Sequence, residues 1–465
     1  MKRKSYIHAP LLKFSVCLMA GIIAANHATP LLPVTPLLVA TVVLAWIARR
    51  RPIAQSLLIC AVFFYLGLLS DRQRVTPPSE DSQLEAVVMS EPAEKPKTLM
   101  MDLTLPQLGE TRRCYIWKDT LSRQIALGDA LLVRLHDERF VRWDDWQHGG
   151  NGLHLLSRLQ GTRLRALLLR HRLLNRYRQM RIGDEQYAVL AAMTLGDKSA
   201  LTNELRQTYS VTGASHILAL SGLHLGIIFF LLTALTGRRR SSWLVQLLLL
   251  LSIWAFVFLT GLAPGLIRSA IMLTVYAIFS FGGRSKMSVN VLCLTAIVML
   301  LINADSLFDV SFQLSFASVF AILLFMPLFE GFLAPDFRFR HPVLNRLWSL
   351  IAVSLAAQIG VAPLSAYYFG SFPTYFLLTN FVAIPAATCI LYGALLTLIF
   401  PPMAVVLGWV VQFLNAALDA LSHLPMASIS HLHPNVLQVC LCYVVIACFY
   451  LMLARLYATR RTSWQ

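Results

Sequence analysis

The sequence predicts a polytopic α-helical membrane protein of about twelve spans with an inserted extracytoplasmic β-rich, OB-like domain, and three observations predict it. Apolar residues make up 57% of the chain and charged residues only 14%, against roughly 25% charged in an ordinary soluble domain. Apolar runs of about 18–25 residues recur, each long enough to cross a hydrocarbon core of roughly 30 Å. One polar stretch interrupts them, and it carries short alternating segments instead of spans.

Three spans are expected first, at about 11–28, 31–48 and 53–70, so residues 1–70 form an N-terminal membrane segment. Lys2, Arg3 and Lys4 before the first run resemble the start of a signal peptide. Two more long runs follow closely, however, and no small-x-small cleavage site precedes a mature domain, so the first span is expected to be retained. Arg49-Arg50-Arg51 divides the second span from the third.

Residues 71–183 are read as the extracytoplasmic domain. Strands are expected at Leu84–Met89, Leu99–Leu105, Cys114–Trp117 and Ala130–Leu135, separated by polar pieces containing Gly and Pro. Several short strands in this length point to a small β-barrel. A barrel of the OB type commonly binds single strands by stacking bases on aromatics over a basic groove. Tyr115, Trp117, Phe140, Trp143 and Trp146 can serve in stacking, or equally as barrel core or interface anchors.

The domain ends in an Arg-rich amphipathic helix. Arg158, Arg163, Arg165, Arg170, Arg172, Arg176, Arg178 and Arg181 occur with no acidic residue among them. Leu164, Leu167, Leu168 and Leu174 are expected near one helical face, with Arg165, Arg172 and Arg176 to one side and Arg163 and Arg170 to the other. Such a helix can lie on the outer membrane surface with its arginines reaching lipid phosphates. It can equally track a nucleic-acid backbone, because Arg pairs bidentately with phosphate. Arg158, Arg163, Arg165, Arg170, Arg172 and Arg176 are the candidates for binding DNA or lipid phosphate.

Residues 184–465 are read as the membrane core, with nine further apolar segments beginning near Ala214 and ending near Leu456. Basic loops set the orientation. Lys2-Arg3-Lys4, Arg49-Arg50-Arg51, Arg238-Arg239-Arg240, Arg284 with Lys286, Arg338 with Arg340 and Arg346, and Arg455 with Arg460 and Arg461 fall on one side of a twelve-span topology. That side is the cytoplasm, so both termini lie inside and the β-rich insertion outside. The uncharged loop near Pro401-Pro402 leaves a re-entrant arrangement open there. Much of the net charge of +17 belongs to these orienting loops, so the charge by itself is no nucleic-acid signature. Seven of the eight cysteines sit in apolar runs and only Cys114 lies in the insertion, which excludes a disulfide framework and a CxxC zinc pattern there.

The segment "AAMTLGDKSALTNELRQTYSVTGASHILALSGLHLGII" (191–228) carries the most recognisable text of the chain. Next come "GLAPGLIRSAIM" (261–272), with Pro-x-x-x-Arg-x-x-x-Met, and "SLFDVSFQLSFASV" (306–319), with Phe-Gln-Leu-Ser. "QIGVAPLSAYYFGSFPTYFLLTNFVAIP" (358–385) completes the series. In this order the blocks resemble the ComEC family of DNA-internalisation channels over about 190–385. The resemblance implies an inner-membrane channel that imports single-stranded DNA during natural transformation. No enzymatic activity and no cofactor are expected of this chain itself. Long family members add a metallo-β-lactamase-like nuclease domain after the membrane core. Here the late pair His431-Leu-His433 is followed by Pro-Asn, lacking the Asp-His of a dinuclear metal site, so a short form without metal is expected.

Polar side chains at membrane depth are costly without a partner or water, and they mark the candidate DNA path. They are His216, Ser221 and His224 on one expected span, then Arg268, Asp309, Gln313, Gln358 and Asn380. Three other readings compete. Ser221, Gly222 and Gly226 form a small-residue face suited to close helix packing. Ser221 with His224 has the composition of an intramembrane serine protease, although a spacing of three on one helix does not set base geometry. A secondary transporter of a small solute or ion is the third, with helices broken near Pro264-Gly265 or Pro385.

"LGDKSAL" (195–201) lacks the earlier Gly of a phosphate loop, so no motor is read in the chain. A polyanion entering an inside-negative cell works against roughly 2.3 kcal/mol per charge per 100 mV. The expected partners are therefore single-stranded DNA, membrane lipids, a periplasmic DNA receptor, a separate nuclease, and a cytoplasmic motor or strand-binding protein.

Overall fold

The structure, a computed structural model, describes residues 9–27, 34–70, 83–90, 92–105, 110–118, 127–136, 140–141, 147–148, 161–180, 182–237, 243–281, 289–333 and 335–463, with Ser122 and Ile125. It divides into two compact units. One comprises Met1–Gln73, Arg181–Trp254 and Ala263–Gln465; the other comprises Arg74–Met180 and Ala255–Leu262.

The chain opens with helices α1 (Pro10–His27), α2 (Val34–Ile47) and α3 (Pro52–Ser70). The β-rich unit follows: β1 (Gln83–Val88), β2 (Ala93–Glu94), β3 (Thr98–Leu105), β4 (Glu110–Trp117), β5 (Ala130–His136), β6 (Phe140–Val141), β7 (Gln147–His148) and α4 (Gly161–Arg178). Next come α5 (Asp184–Leu195), α6 (Asn203–Val211), α7 (Ser215–Leu218), α8 (Gly222–Thr236), α9 (Trp243–Leu259), α10 (Pro264–Phe281), α11 (Val289–Ile302) and α12 (Val310–Glu330). The chain closes with α13 (Pro335–Arg340), α14 (Pro342–Phe369), β8 (Phe372–Pro373), α15 (Phe376–Ile399), α16 (Ala404–Ser422), β9 (Ser428–Ile429) and α17 (Val436–Ser463).

Among the described residues, six helical segments are long and apolar enough to cross a membrane: Pro52–Ser70, Val310–Glu330, Pro342–Phe369, Phe376–Ile399, Pro401–Ser422 and Val436–Leu456. Shorter apolar helices accompany them, among them α1, α8, α9, α10 and α11. The chain is a polytopic α-helical membrane protein.

Glycines set the closest helix contacts of the membrane unit. A Cβ added at Gly21 of α1 would stand 2.1 Å from the Phe64 carbonyl oxygen of α3, and one at Gly67 would stand 2.5 Å from the Leu18 carbonyl oxygen. Only glycine lets these two backbones meet, which is how helices pack where apolar burial offers no preference over lipid. Phe14 stacks on Phe63 at 5.4 Å between centroids, and the Lys13 ammonium donates to Ser56. Leu18 and Ile22 then close a core with Ala296, Ile297 and Leu300 of α11 and with Phe312 of α12. Gly360 repeats the device on α14, where an added Cβ would lie 2.4 Å from the Ala317 carbonyl oxygen of α12. The Tyr443 hydroxyl of α17 donates to the Gly360 carbonyl at 2.8 Å. Pro385 sits inside α15 without ending it, so the helix break considered at that residue is not there.

The strands of the β-rich unit pair in a ring. β1 runs antiparallel to β3, β3 antiparallel to β4, β4 parallel to β6, β6 antiparallel to β5, and β5 antiparallel to β1. Alternation puts Leu99, Met101, Leu103 and Leu105 of β3 inside, with Ala86, Val88, Cys114, Ile116 and Leu131 from the other strands. Tyr115 is half-buried and Trp117 is 49% exposed, so neither belongs to that core. The Phe140 side chain, Trp143 and Trp146 lie outside the described residues.

Helix α4 lays Leu167 against Val87 and Met89 and also buries Ala166, Leu174 and Tyr177. Leu168 departs from the expected face: it is 39% exposed. Leu167 and Leu174 are seven residues apart and so nearly in line, whereas Leu168 is turned about 100° from Leu167. Arg158 and the side chains of Arg163 and Leu164 lie outside the described residues.

Candidate functional site

The expected single span through His216, Ser221 and His224 is broken. His216 belongs to the one-turn helix α7, and a new helix, α8, starts only at Gly222. Between them Ala219 is extended (φ −92°, ψ 130°), and so is Ser221 (φ −134°, ψ 175°), which makes Ser221 the N-cap of α8. Serine favours that position because its short polar side chain can serve the unpaired groups of a helix start.

His224 completes the cap. The backbone N–H of Ser221 donates to His224 Nδ1 at 3.3 Å, and the Ser221 hydroxyl lies 3.1 Å from the same nitrogen. A histidine at the third helical position thus reaches back as the Glu or Gln of a capping box does. Since Nδ1 accepts, the ring proton resides on Nε2. The ring is fully buried, and Nε2 makes no hydrogen bond. Ser221 and His224 do approach within hydrogen-bond distance, but no carboxylate orients the ring from its far side.

His216 differs sharply. Its side chain is exposed. Its Nδ1 is 2.9 Å from the Gly213 carbonyl oxygen. Gly213 itself turns the chain at φ +81°, and an added Cβ there would strike Pro373 at 2.7 Å. On α8 the small-residue face is divided in use. A Cβ at Gly222 would meet Ser269 Oγ at 2.7 Å, whereas one at Gly226 would meet nothing within 4 Å. Close packing therefore explains Gly222 and leaves Gly226 facing open space.

The tip of α10 comes up against this break. A Cβ on Gly265 would lie 2.8 Å from the Leu220 carbonyl oxygen, so glycine is what allows the approach. One turn on, Arg268 is 5% exposed. Its Nη2 donates to Ser311 Oγ at 2.7 Å, its Nη1 is 3.7 Å from Asp309 Oδ2, and its Nε makes no hydrogen bond. Asp309 is the N-cap of α12 and accepts the Ser311 backbone N–H at 3.1 Å, while its carboxylate remains 47% exposed. Arg268 therefore ties the start of α10 to the start of α12.

The remaining candidates are spread over other contacts. Gln313 donates to the Leu307 carbonyl at 2.9 Å and accepts the Tyr368 hydroxyl at 2.7 Å. Asn380 of α15 donates to Ser354 of α14 at 3.2 Å, and Gln358 is half-buried on α14. Ser311, Ser269 and Ser354 are partners that sequence reasoning passed over; Ser311 stands inside the quoted block 306–319. Arg165, Arg172 and Arg176 are exposed on α4, and Arg170 is half-buried with a partner of its own. "LGDKSAL" begins as a helix end: Gly196, at φ +74°, caps α5, and Asp197 accepts the Ser199 N–H at 3.0 Å. His431 and His433 line a cleft of about 510 Å³ with Gln438 and Cys442. Among the described residues no group of three His, Cys, Asp or Glu is placed to hold a metal ion.

The family model described as Competence protein matches residues 193–456, more than half of the chain and every element of the α7–α12 constellation. The chain belongs to the competence protein family. Its relatives include ComE operon protein 3 of Bacillus subtilis, 32% identical over 254 residues, which are 54% of this chain and 31% of that protein. The uncharacterized protein YcaI of Escherichia coli is 28% identical over 213 residues, 44% of this chain and 28% of that protein. An uncharacterized protein of Aquifex aeolicus is 28% identical over 272 residues, 57% of this chain and 62% of that protein. The match thus spans less than two thirds of each of these relatives. No solved structure matches the chain.

Proposed function

We propose that this competence-family chain is an inner-membrane channel that imports single-stranded DNA during natural transformation. One observation carries the reading: the exposed imidazole of His216 stands beside the helix break at Ala219–Ser221, whose extended backbone offers polar groups. A polar lining there suits a hydrated polyanion, and an imidazole offers a donor without the standing charge that would trap phosphate. His216, Ser221 and the open face at Gly226 form the inner wall of the path. His224 and Arg268, both buried, hold that wall in shape from behind. Asp309, Gln313 and Asn380 fix neighbouring segments, Gln358 stands half-buried on α14, and Asp309 also presents its exposed carboxylate.

In this reading the apolar helices make twelve spans with both termini in the cytoplasm, and the β-rich unit faces the periplasm. The cyclic order of its five principal strands is first, second, third, fifth, fourth, with the third and fifth parallel, which supports an OB-type barrel. Trp117, exposed on β4, is its stacking candidate. A DNA receptor outside, a nuclease and a cytoplasmic motor or strand-binding protein complete the pathway. The serine-protease reading of Ser221 and His224 is not favoured, because the His224 ring is fully buried and is taken up by the α8 cap.

A small-solute transporter is the second reading, and the helix break before Gly222 favours it, since half-helix ends commonly build midplane sites. A deletion strain decides between them. Loss of the chain should abolish the arrival of labelled DNA in the cytoplasm while surface-bound DNA persists, and re-expression should restore it. Unchanged DNA uptake in the deletion would leave the transporter reading.

A further inference from the structure

Helix α4 has a second face that the β-rich unit does not use. Arg165, Leu168, Leu169, Arg172 and Arg176 fall within an arc of about 100° at helical spacing. All five are exposed, the two leucines by 39% and 49%. The opposite face is already occupied, since Leu167 packs on Val87 and Met89. The exposed leucines are therefore not a core face left uncovered.

We propose that this face of α4 binds the surface of an anionic bilayer. Arg165, Arg172 and Arg176, in the middle of the arc, pair with lipid phosphates, and Leu168 and Leu169 at its two edges reach the acyl boundary on either side. The charge pattern fits, because the helix holds no acidic residue and guanidinium meets phosphate bidentately. The leucines decide between phosphate sources. A nucleic-acid backbone offers phosphates with no apolar layer beneath, and none of these five residues is an aromatic on which a base could stack. A bilayer surface offers both layers at the spacing an amphipathic helix presents.

The test uses the full chain, with its eight native cysteines replaced, a spin label at Leu168→Cys, and nanodiscs of defined lipid. In discs containing phosphatidylglycerol the label should be relaxed by oxygen and shielded from a water-soluble nickel chelate. In pure phosphatidylcholine discs, or with R165Q/R172Q/R176Q, that shielding should be lost. The comparison of lipids needs no arginine variant, so misfolding of the triple variant cannot imitate the result. A label equally open to nickel in both lipids would overturn the proposal. So would shielding in phosphatidylcholine discs that appears only when a single-stranded oligonucleotide is added, which would assign the face to nucleic acid.

Discussion

The Arg268 guanidinium donates to Ser311 Oγ at 2.7 Å and thereby fastens the second turn of α10 to the first turn of α12. Two sequence blocks separated by more than thirty residues, 261–272 and 306–319, meet in this one bond. The nearby Asp309 carboxylate contributes less, because it is 47% exposed at 3.7 Å and is screened by solvent.

Breaking that bond should cost stability from either end. Arg268→Met and Ser311→Ala should each destabilise the purified protein, with the charged hydrogen bond worth about 1.5–3 kcal/mol. The double variant should lose less than the sum, because both substitutions remove the same contact. Thermal unfolding in detergent gives the cycle, and full additivity would show that the two side chains act apart.

The α8 cap separates two roles in the Ser221–His224 pair. His224→Leu removes the acceptor of the Ser221 backbone N–H and should cost about 0.5–2 kcal/mol, in the range of a lost helix cap. Ser221→Ala keeps that backbone bond and should cost less. Hydrogen exchange at residue 221 should accelerate in the first variant and change little in the second. The opposite order would mean that the hydroxyl holds the cap.

Contact between α1 and α3 can be read chemically. Cys17 of α1 and Cys60 of α3 lie beside each other, one turn from Lys13–Ser56 on one side and Gly21–Phe64 on the other. Copper-phenanthroline should therefore join Cys17 to Cys60 in membranes, detected as a disulfide-linked peptide pair by mass spectrometry. Gly67→Leu, which forces a side chain into the Leu18 backbone, should abolish the link and destabilise by about 1–3 kcal/mol. A failure to cross-link in the unaltered chain would refute this helix packing.

Topology follows from the basic loops. Reporter fusions at Thr98 should read outside, and fusions at Arg239 or after Arg461 should read inside. A phosphatase reporter active at Arg239 would end the twelve-span arrangement.

Some of this architecture was legible in the sequence, for physical reasons visible in particular residues. The stretches at Leu84, Leu99, Cys114 and Ala130 announce strands because a two-residue period survives any tertiary context, and β1, β3, β4 and β5 lie there. The break at Ala219–Ser221 was hidden, since Ile217–Leu220 is as apolar as a span and contains neither Pro nor Gly. Only Ser221 hinted at a cap. Leu168 was placed on the wrong face of α4 because leucines surround that helix, and periodicity cannot say which part of a broad stripe the barrel takes. Nor can sequence distinguish a polar group that stays exposed, as His216 does, from one that is buried, as His224 and Arg268 are.

The channel reading rests on whether the strand passes His216. In a cysteine-free background reconstituted in liposomes, the modification rate of His216→Cys by a small charged thiol reagent is compared with and without a single-stranded oligonucleotide. We expect ready modification alone and marked slowing with the oligonucleotide, while Leu225→Cys, at a fully buried position of α8, stays unreactive throughout. If His216→Cys is inert, or its rate is indifferent to the oligonucleotide, then the strand does not pass this wall.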